Sequence, residues 1–141
     1  MGKLDLSYVK DLFKSGPREG DPEAYRELML MILARATDAD CYAQPAELEA
    51  VQKAIKQHLD EDISQEDITM VSRSDLYKEA PLEKYISRLA PRLSLQQRKD
   101  IVAALIEVLR SDGQVAASET EFFNGVVLAL RMTYAEVAGL A

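Results

Sequence analysis

The segments DCYAQPAELE, residues 40–49, and DGQVAASETE, residues 112–121, follow one plan, and this plan indicates the fold. Each segment has an aspartate, a glutamate seven positions later, and a second glutamate two positions after that. Every acid of this pattern in the second segment lies 72 positions after its counterpart in the first. Each segment also follows an apolar helical stretch and leads into another one. The sequence therefore predicts two helix–loop–helix repeats.

Signals for helix starts are dense around these segments. Asp21-Pro22-Glu23 combines an N-cap residue, a proline suited to the first helical position and an acid in the first turn, which predicts a helix near 22–38. Gln44-Pro45 predicts the start of the next helix, and 94–97 is a capping box for a long helix that Gly113 would close. Further helices are predicted after Ser64, between Pro81 and Pro91, across 122–130 and after Thr133. A short N-terminal helix is also predicted, from the apolar spacing of Leu6, Val9, Leu12 and Phe13.

The expected fold class is all-α, because no stretch alternates as a strand would over more than a few residues. We expect a compact bundle of about seven to eight helices built from the two helix–loop–helix repeats. A chain of 141 residues suits a single domain. Its core would cover about 22–141, and residues 1–21 would form an N-terminal helix and loop.

Composition narrows the classes of function. The net charge of −7 argues against a nucleic-acid surface, which needs clustered Lys and Arg, and allows a cation or a basic partner. The single cysteine, Cys41, excludes an internal disulfide. The first residues lack the apolar region of a signal peptide, and no apolar run approaches the roughly 18–20 residues that span a bilayer. We therefore expect a cytoplasmic protein that does not insert into a membrane.

The pattern Asp-Gly-x-Val-x-x-x-Glu at 112–119, after an alanine- and leucine-rich helix, resembles the TerB family of tellurite-resistance proteins. The resemblance covers about 22–141, and the first segment departs from the family pattern because Cys41 stands where the pattern has Gly. It implies a TerB-like bundle of about seven helices, found in bacterial tellurite-resistance and stress gene clusters, without established enzymatic activity. The family's acids have been proposed to bind metal. The positions carried over to this chain are Asp40, Glu47, Asp112 and Glu119, with Glu49 and Glu121 as their neighbours.

Those acids allow two interpretations. Carboxylate oxygens are the ligands that Ca²⁺ and Mg²⁺ prefer, and two opposed loops could offer four to six of the six to eight ligands that Ca²⁺ takes. Zn²⁺ is a weaker candidate, because no His or second Cys lies near. Alternatively the acids are structural. Glu47 and Glu119 would then complement the N-terminal dipoles of their helices, and Asp40 and Asp112 would bond to backbone amides in tight turns.

We therefore expect a non-enzymatic stress-response module whose paired acidic loops bind a divalent cation or a protein partner, which could itself be membrane-associated. One alternative is a helical scaffold or adaptor whose acids are purely structural. Another is a metal-dependent hydrolase, which would need a cleft with convergent acids and an open coordination position. No nucleophile elbow, P-loop or paired catalytic set occurs, so no residue is predicted to be catalytic. Asp38 and Asp40, just before Cys41, disfavour a thiolate, so Cys41 is predicted to be a small, partly buried residue.

Overall fold

The computed structural model describes residues 20–38, 45–111 and 117–139. These ranges contain eight α-helices and one 3₁₀ turn, and no strand occurs within them. The elements are α1 (Pro22–Ala36), α2 (Pro45–Leu59), α3 (Gln65–Ser72), α4 (Leu76–Glu79), α5 (Leu82–Leu89), η1 (Ala90–Arg92), α6 (Leu95–Leu109), α7 (Ala117–Ala129) and α8 (Tyr134–Ala138). The predicted all-α fold is confirmed. The helix predicted within residues 1–21 and the predicted role of Gly113 lie outside the described residues.

The first helix begins where its capping residues predict. The Asp21 carboxylate accepts hydrogen bonds from the backbone amides of Glu23 and Ala24 at 3.0 and 3.4 Å. Pro22 occupies the first turn, where its missing N–H costs no hydrogen bond. Three adjacent residues thus determine the start of α1.

Two later helices begin with a reciprocal capping box. At α6 the Ser94 hydroxyl accepts from the amide of Gln97 at 3.1 Å, and the Gln97 side chain accepts from the amide of Ser94 at 2.9 Å. At α8 the Thr133 hydroxyl accepts from the amide of Glu136, and the Glu136 carboxylate accepts from the amide of Thr133. Each box satisfies two backbone donors that a helix start otherwise leaves open.

The α1 helix is the centre of the bundle. Every residue from Leu28 to Ala34 is at most 2% exposed, so this stretch is buried on all faces rather than along one stripe. α2, α3, α5, α6 and α7 all pack against it. Within the described ranges no helix combines the length and the apolar character that crossing a bilayer requires.

The one-turn helix α4 was not predicted. Its four residues are too few to show a helical period, so tertiary contacts fix it. The Tyr85 hydroxyl donates to the backbone carbonyl of Leu76 at 2.6 Å, and the Arg35 guanidinium lies over the Tyr77 ring, 4.6 Å from its centroid. These contacts join α4 to α5 and to the end of α1.

Candidate functional site

The predicted acids lie at two loop–helix junctions, which we call the first acidic junction (residues 40–49) and the second acidic junction (residues 112–121). Glu47 is the third residue of α2, and Glu119 is the third residue of α7. Both are buried, with 1% and 2% of their surface exposed. Glu49 and Glu121, two positions further on, are both exposed. The predicted aspartates of the two junctions, at positions 40 and 112, lie outside the described residues.

Helical spacing explains why one glutamate of each junction is buried and the other is exposed. Glu47 shares a face of α2 with Val51 and Ala54, which follow it by four and seven positions and are each 1% exposed. Glu119 has the same relation to Val126, which is fully buried. Residues two positions apart are rotated by about 200° around a helix, so the second glutamate of each junction faces outward. The apolar spacing in the sequence already contained this signal.

A buried carboxylate needs compensation for its lost hydration. The third helical position supplies part of it, because the open backbone amides and the dipole of a helix N-terminus favour an anion there. Glu47 and Glu119 each interact with at least one other group of the protein. Each junction therefore holds one carboxylate in a fixed, desolvated position.

The acid that precedes the first junction has a structural partner. Asp38 accepts a hydrogen bond from the Ser72 hydroxyl at 2.8 Å, and Arg35 donates to the Ser72 carbonyl at 3.0 Å. These bonds connect the end of α1 to the end of α3. Asp38 has no counterpart at the second junction, since Arg110 stands there in the sequence.

Residues next to each junction line one groove. A cleft of about 460 Å³, here called the polar cleft, runs between α2 and α6. Ala50, one helical turn after Glu47, and Ser111, which precedes the second junction, both line it. Among the described residues no group of three or more His, Cys, Asp or Glu side chains is arranged to hold a metal ion. The glutamates of the junctions thus do not make such a group on their own.

A second cleft adjoins the first. This apolar cleft of about 240 Å³ lies between α6, α7 and α8, and Glu119 lies on its wall. Both clefts are lined by Ile106, in the last turn of α6, and by Arg110, the residue just after the helix. The last turn of α6 therefore separates two neighbouring depressions in the surface.

A charged cluster away from the junctions was not predicted from the sequence. Arg26 in α1 makes two hydrogen bonds to Glu61, from Nε at 2.7 Å and from the guanidinium terminus at 2.9 Å, and one to Glu27 at 2.9 Å. Burial raises the pKa of Glu27 to about 7; Arg26 opposes this shift and Glu23 and Glu61 reinforce it. The only available signal was a charged pair within an otherwise apolar helix, because Glu61 lies in an acidic run that resembles an exposed loop.

Comparison with known proteins identifies the family. The family model described as Tellurite resistance protein TerB matches residues 26–140. No curated protein and no solved structure matches the chain. Because the matched range covers most of the sequence, the chain belongs to the TerB family. The resemblance noted from the second acidic junction is thereby confirmed.

Proposed function

We propose that the chain is a cytoplasmic, non-enzymatic stress-response module of the TerB family that binds a divalent cation at its acidic junctions. The supporting observation is the matched burial of Glu47 and Glu119, at the third position of the helix that each junction begins. Two junctions with the same spacing thus carry a desolvated carboxylate in the same local setting. An exposed carboxylate follows at each, at Glu49 and Glu121.

The chemistry of these groups favours Ca²⁺ or Mg²⁺ over Zn²⁺. Hard cations take oxygen ligands. Of the six carboxylates in the junctions, Glu49 and Glu121 face outward, so up to four can converge, and water or backbone oxygens would complete the six to eight ligands that Ca²⁺ takes. A carboxylate already held by the fold loses little side-chain freedom on binding a cation. Glu47 and Glu119 would serve as these fixed ligands, and Asp40 and Asp112 would complete the site from the loops.

Two alternatives have observations of their own. The exposure of Glu49 and Glu121 suits a basic protein partner that binds the junctions from outside. The helix-start position of Glu47 and Glu119, and their interactions within the protein, suit a scaffold whose acids only hold the loops. The cation proposal differs from both, because it requires binding of a metal ion in the absence of any partner.

Isothermal titration calorimetry with CaCl₂, MgCl₂ and ZnCl₂ tests the proposal. The wild type should bind Ca²⁺ or Mg²⁺ with measurable heat, and the Asp40→Asn/Asp112→Asn double variant should not. Asp62→Asn/Asp75→Asn is the matched control, since it removes two aspartates that are 90% and 89% exposed and lie away from the junctions. Equal heats for the two double variants, or no heat with the wild type, would remove the cation function and leave protein binding.

Thermal unfolding separates ligation from a structural role. A cation that binds only the folded protein raises the melting temperature, and the rise grows with the logarithm of its concentration once that concentration exceeds the dissociation constant. Ca²⁺ should therefore raise the melting temperature of the wild type but not that of Glu47→Gln/Glu119→Gln. If both respond alike to Ca²⁺ and the variant is merely less stable throughout, the two glutamates are structural.

A further inference from the structure

Apart from Glu119 on its wall, the apolar cleft takes no part in the cation proposal. Most of its lining is apolar and comes from Ile106 and Leu109 in α6, Phe123 in α7, and Val137 and Ala138 in α8, beside the polar Arg110, Glu119 and Thr120. Burying an apolar group against such a wall is favourable, because the surfaces of both are removed from water. The cleft is therefore suited to an aliphatic or aromatic group rather than to an ion.

One cation lines this cleft, and a second lines the neighbouring polar cleft. Arg110 lines both clefts, Lys53 lines the polar cleft from α2, and both side chains are exposed. Within the part of the chain that the structure describes, neither the Lys53 ammonium nor the Arg110 guanidinium forms an ion pair. Lys56 on the same helix, by contrast, pairs with Asp60 at 3.3 Å. Two cations that form no ion pair with any other described residue lie at one groove, where they attract an anion although the chain as a whole is strongly acidic.

Two acids determine where such an anion would lie. Glu119 on the wall of the apolar cleft disfavours a negative group inside that cleft. Glu107 is exposed at the polar cleft and partly offsets the charges of Lys53 and Arg110. The favourable position for an anion is therefore on the polar-cleft side of Arg110, with any apolar part on the other side.

We propose that the two clefts together bind a small amphipathic carboxylate, with its hydrocarbon chain in the apolar cleft and its carboxylate between Arg110 and Lys53. The two clefts share Ile106 and Arg110 as lining residues, so a chain that enters the apolar cleft can leave its carboxylate beside Arg110. This site adjoins the proposed cation site, since Glu119 lies on the wall of the apolar cleft, but it uses different contacts, which are cationic and apolar.

The first experiment is a titration of the full ¹⁵N-labelled chain with sodium decanoate, followed by amide chemical shifts. Saturable shifts should concentrate at Ile106, Leu109, Phe123, Val137 and Ala138. Acetate, which lacks the chain, and decyltrimethylammonium, which reverses the charge, should each bind at least about tenfold more weakly. Equal binding of decyltrimethylammonium would overturn the assignment of an anion site, and shifts spread over other surfaces would overturn the location.

Charge variants give a signed test that unspecific adsorption does not reproduce. Arg110→Gln and Lys53→Gln should each weaken decanoate binding about two- to fivefold, as expected for exposed charge pairs, and Glu107→Gln should strengthen it by a similar factor. Lys56→Gln is the matched control, because it removes the same charge from another part of α2. An equal effect of Lys53→Gln and Lys56→Gln would show that only net charge matters and would contradict the site.

A cleft-filling variant tests the apolar part. Ala138 is exposed at the end of α8, so Ala138→Phe can occupy the cleft without disturbing the core. Circular dichroism should show an unchanged fold, and decanoate binding should fall more than tenfold. Retention of wild-type affinity in this folded variant would exclude the apolar cleft as the site of the chain.

Discussion

The two helical hairpins, α1 with α2 and α6 with α7, are each held by an arginine of the first helix that reaches the end of the second. In the first hairpin Arg26 binds the carboxylate of Glu61, just after α2. In the second, Arg98, 72 positions later, donates to the backbone carbonyl of Leu130, just after α7, at 3.2 Å. The position is shared but the acceptor is an ion in one hairpin and a neutral group in the other. Only the first hairpin should therefore depend on the charge of its neighbours.

Of the variants that test this comparison, Glu27→Gln should change the free energy of unfolding most. It is 3% exposed, and its pKa is raised to about 7 from the ordinary value of 4.5. A raised carboxyl pKa stabilises the fold below pH 4.5, and this contribution is lost as pH rises through 7, because the ionised form is disfavoured in the folded protein. At pH 8 Glu27→Gln should raise the free energy of unfolding by up to about 3 kcal/mol, reduced by the cost of burying an amide.

Urea denaturation of the wild type and of Glu27→Gln between pH 4.5 and 8 measures this effect. The two stability curves should meet at low pH and separate as pH rises. Glu66→Gln is the control, since Glu66 is exposed in α3 and is not among the groups that shift the pKa of Glu27. Parallel curves for the wild type and Glu27→Gln would mean that the carboxyl does not titrate near neutral pH.

Substitution of the two arginines should give the next largest change in stability. Arg26→Met removes the partner of a buried carboxylate and a two-bond contact to Glu61, and should cost about 2 kcal/mol at pH 8 and less at pH 5, where Glu27 is protonated. Arg98→Met removes one hydrogen bond to a neutral acceptor. It also removes a buried Nε that has no hydrogen-bond partner among the described residues, so it should cost about 1 kcal/mol or less at both pH values. Chemical denaturation of both variants at the two pH values measures the difference. Equal losses would show that charge does not distinguish the hairpins.

Much of the fold could be predicted from the sequence because the signals are local. Asp21 and Ser94 begin their helices through bonds to residues two or three positions away, and periodic apolar residues then define each buried face. The α4 helix could not be predicted, since its formation depends on Tyr85 and Arg35 from other elements. The contact between Arg26 and Glu61 could not be predicted for the same reason, since the two residues are 35 positions apart in the sequence.

Part of the candidate site, the glutamates at the two helix starts, could also be predicted from the sequence. The shared spacing identified Glu47 and Glu119, and the apolar residues four and seven positions further on could have shown that these are the buried pair. The two clefts could not be predicted from the sequence, because their walls come from separate helices. Lys53 and Arg110, for example, lie in helical segments with no sequence pattern in common, and only packing of α2 against α6 places them at one groove.

Substitutions at the ends of the two hairpins should change the stability least. Asp60 after α2 and Arg131 after α7 both have left-handed backbone angles, with φ of 55° and 60°. Asp tolerates this region better than other non-glycine residues, because its short polar side chain can bond to nearby backbone, whereas Arg has no such compensation. Arg131→Gly should therefore stabilise the protein by about 0.5–1 kcal/mol and Asp60→Gly by less, which thermal unfolding can resolve. Since the Lys56–Asp60 pair is exposed and contributes little, a larger gain at Asp60 than at Arg131 would mean that backbone strain is not what separates the two hairpin ends.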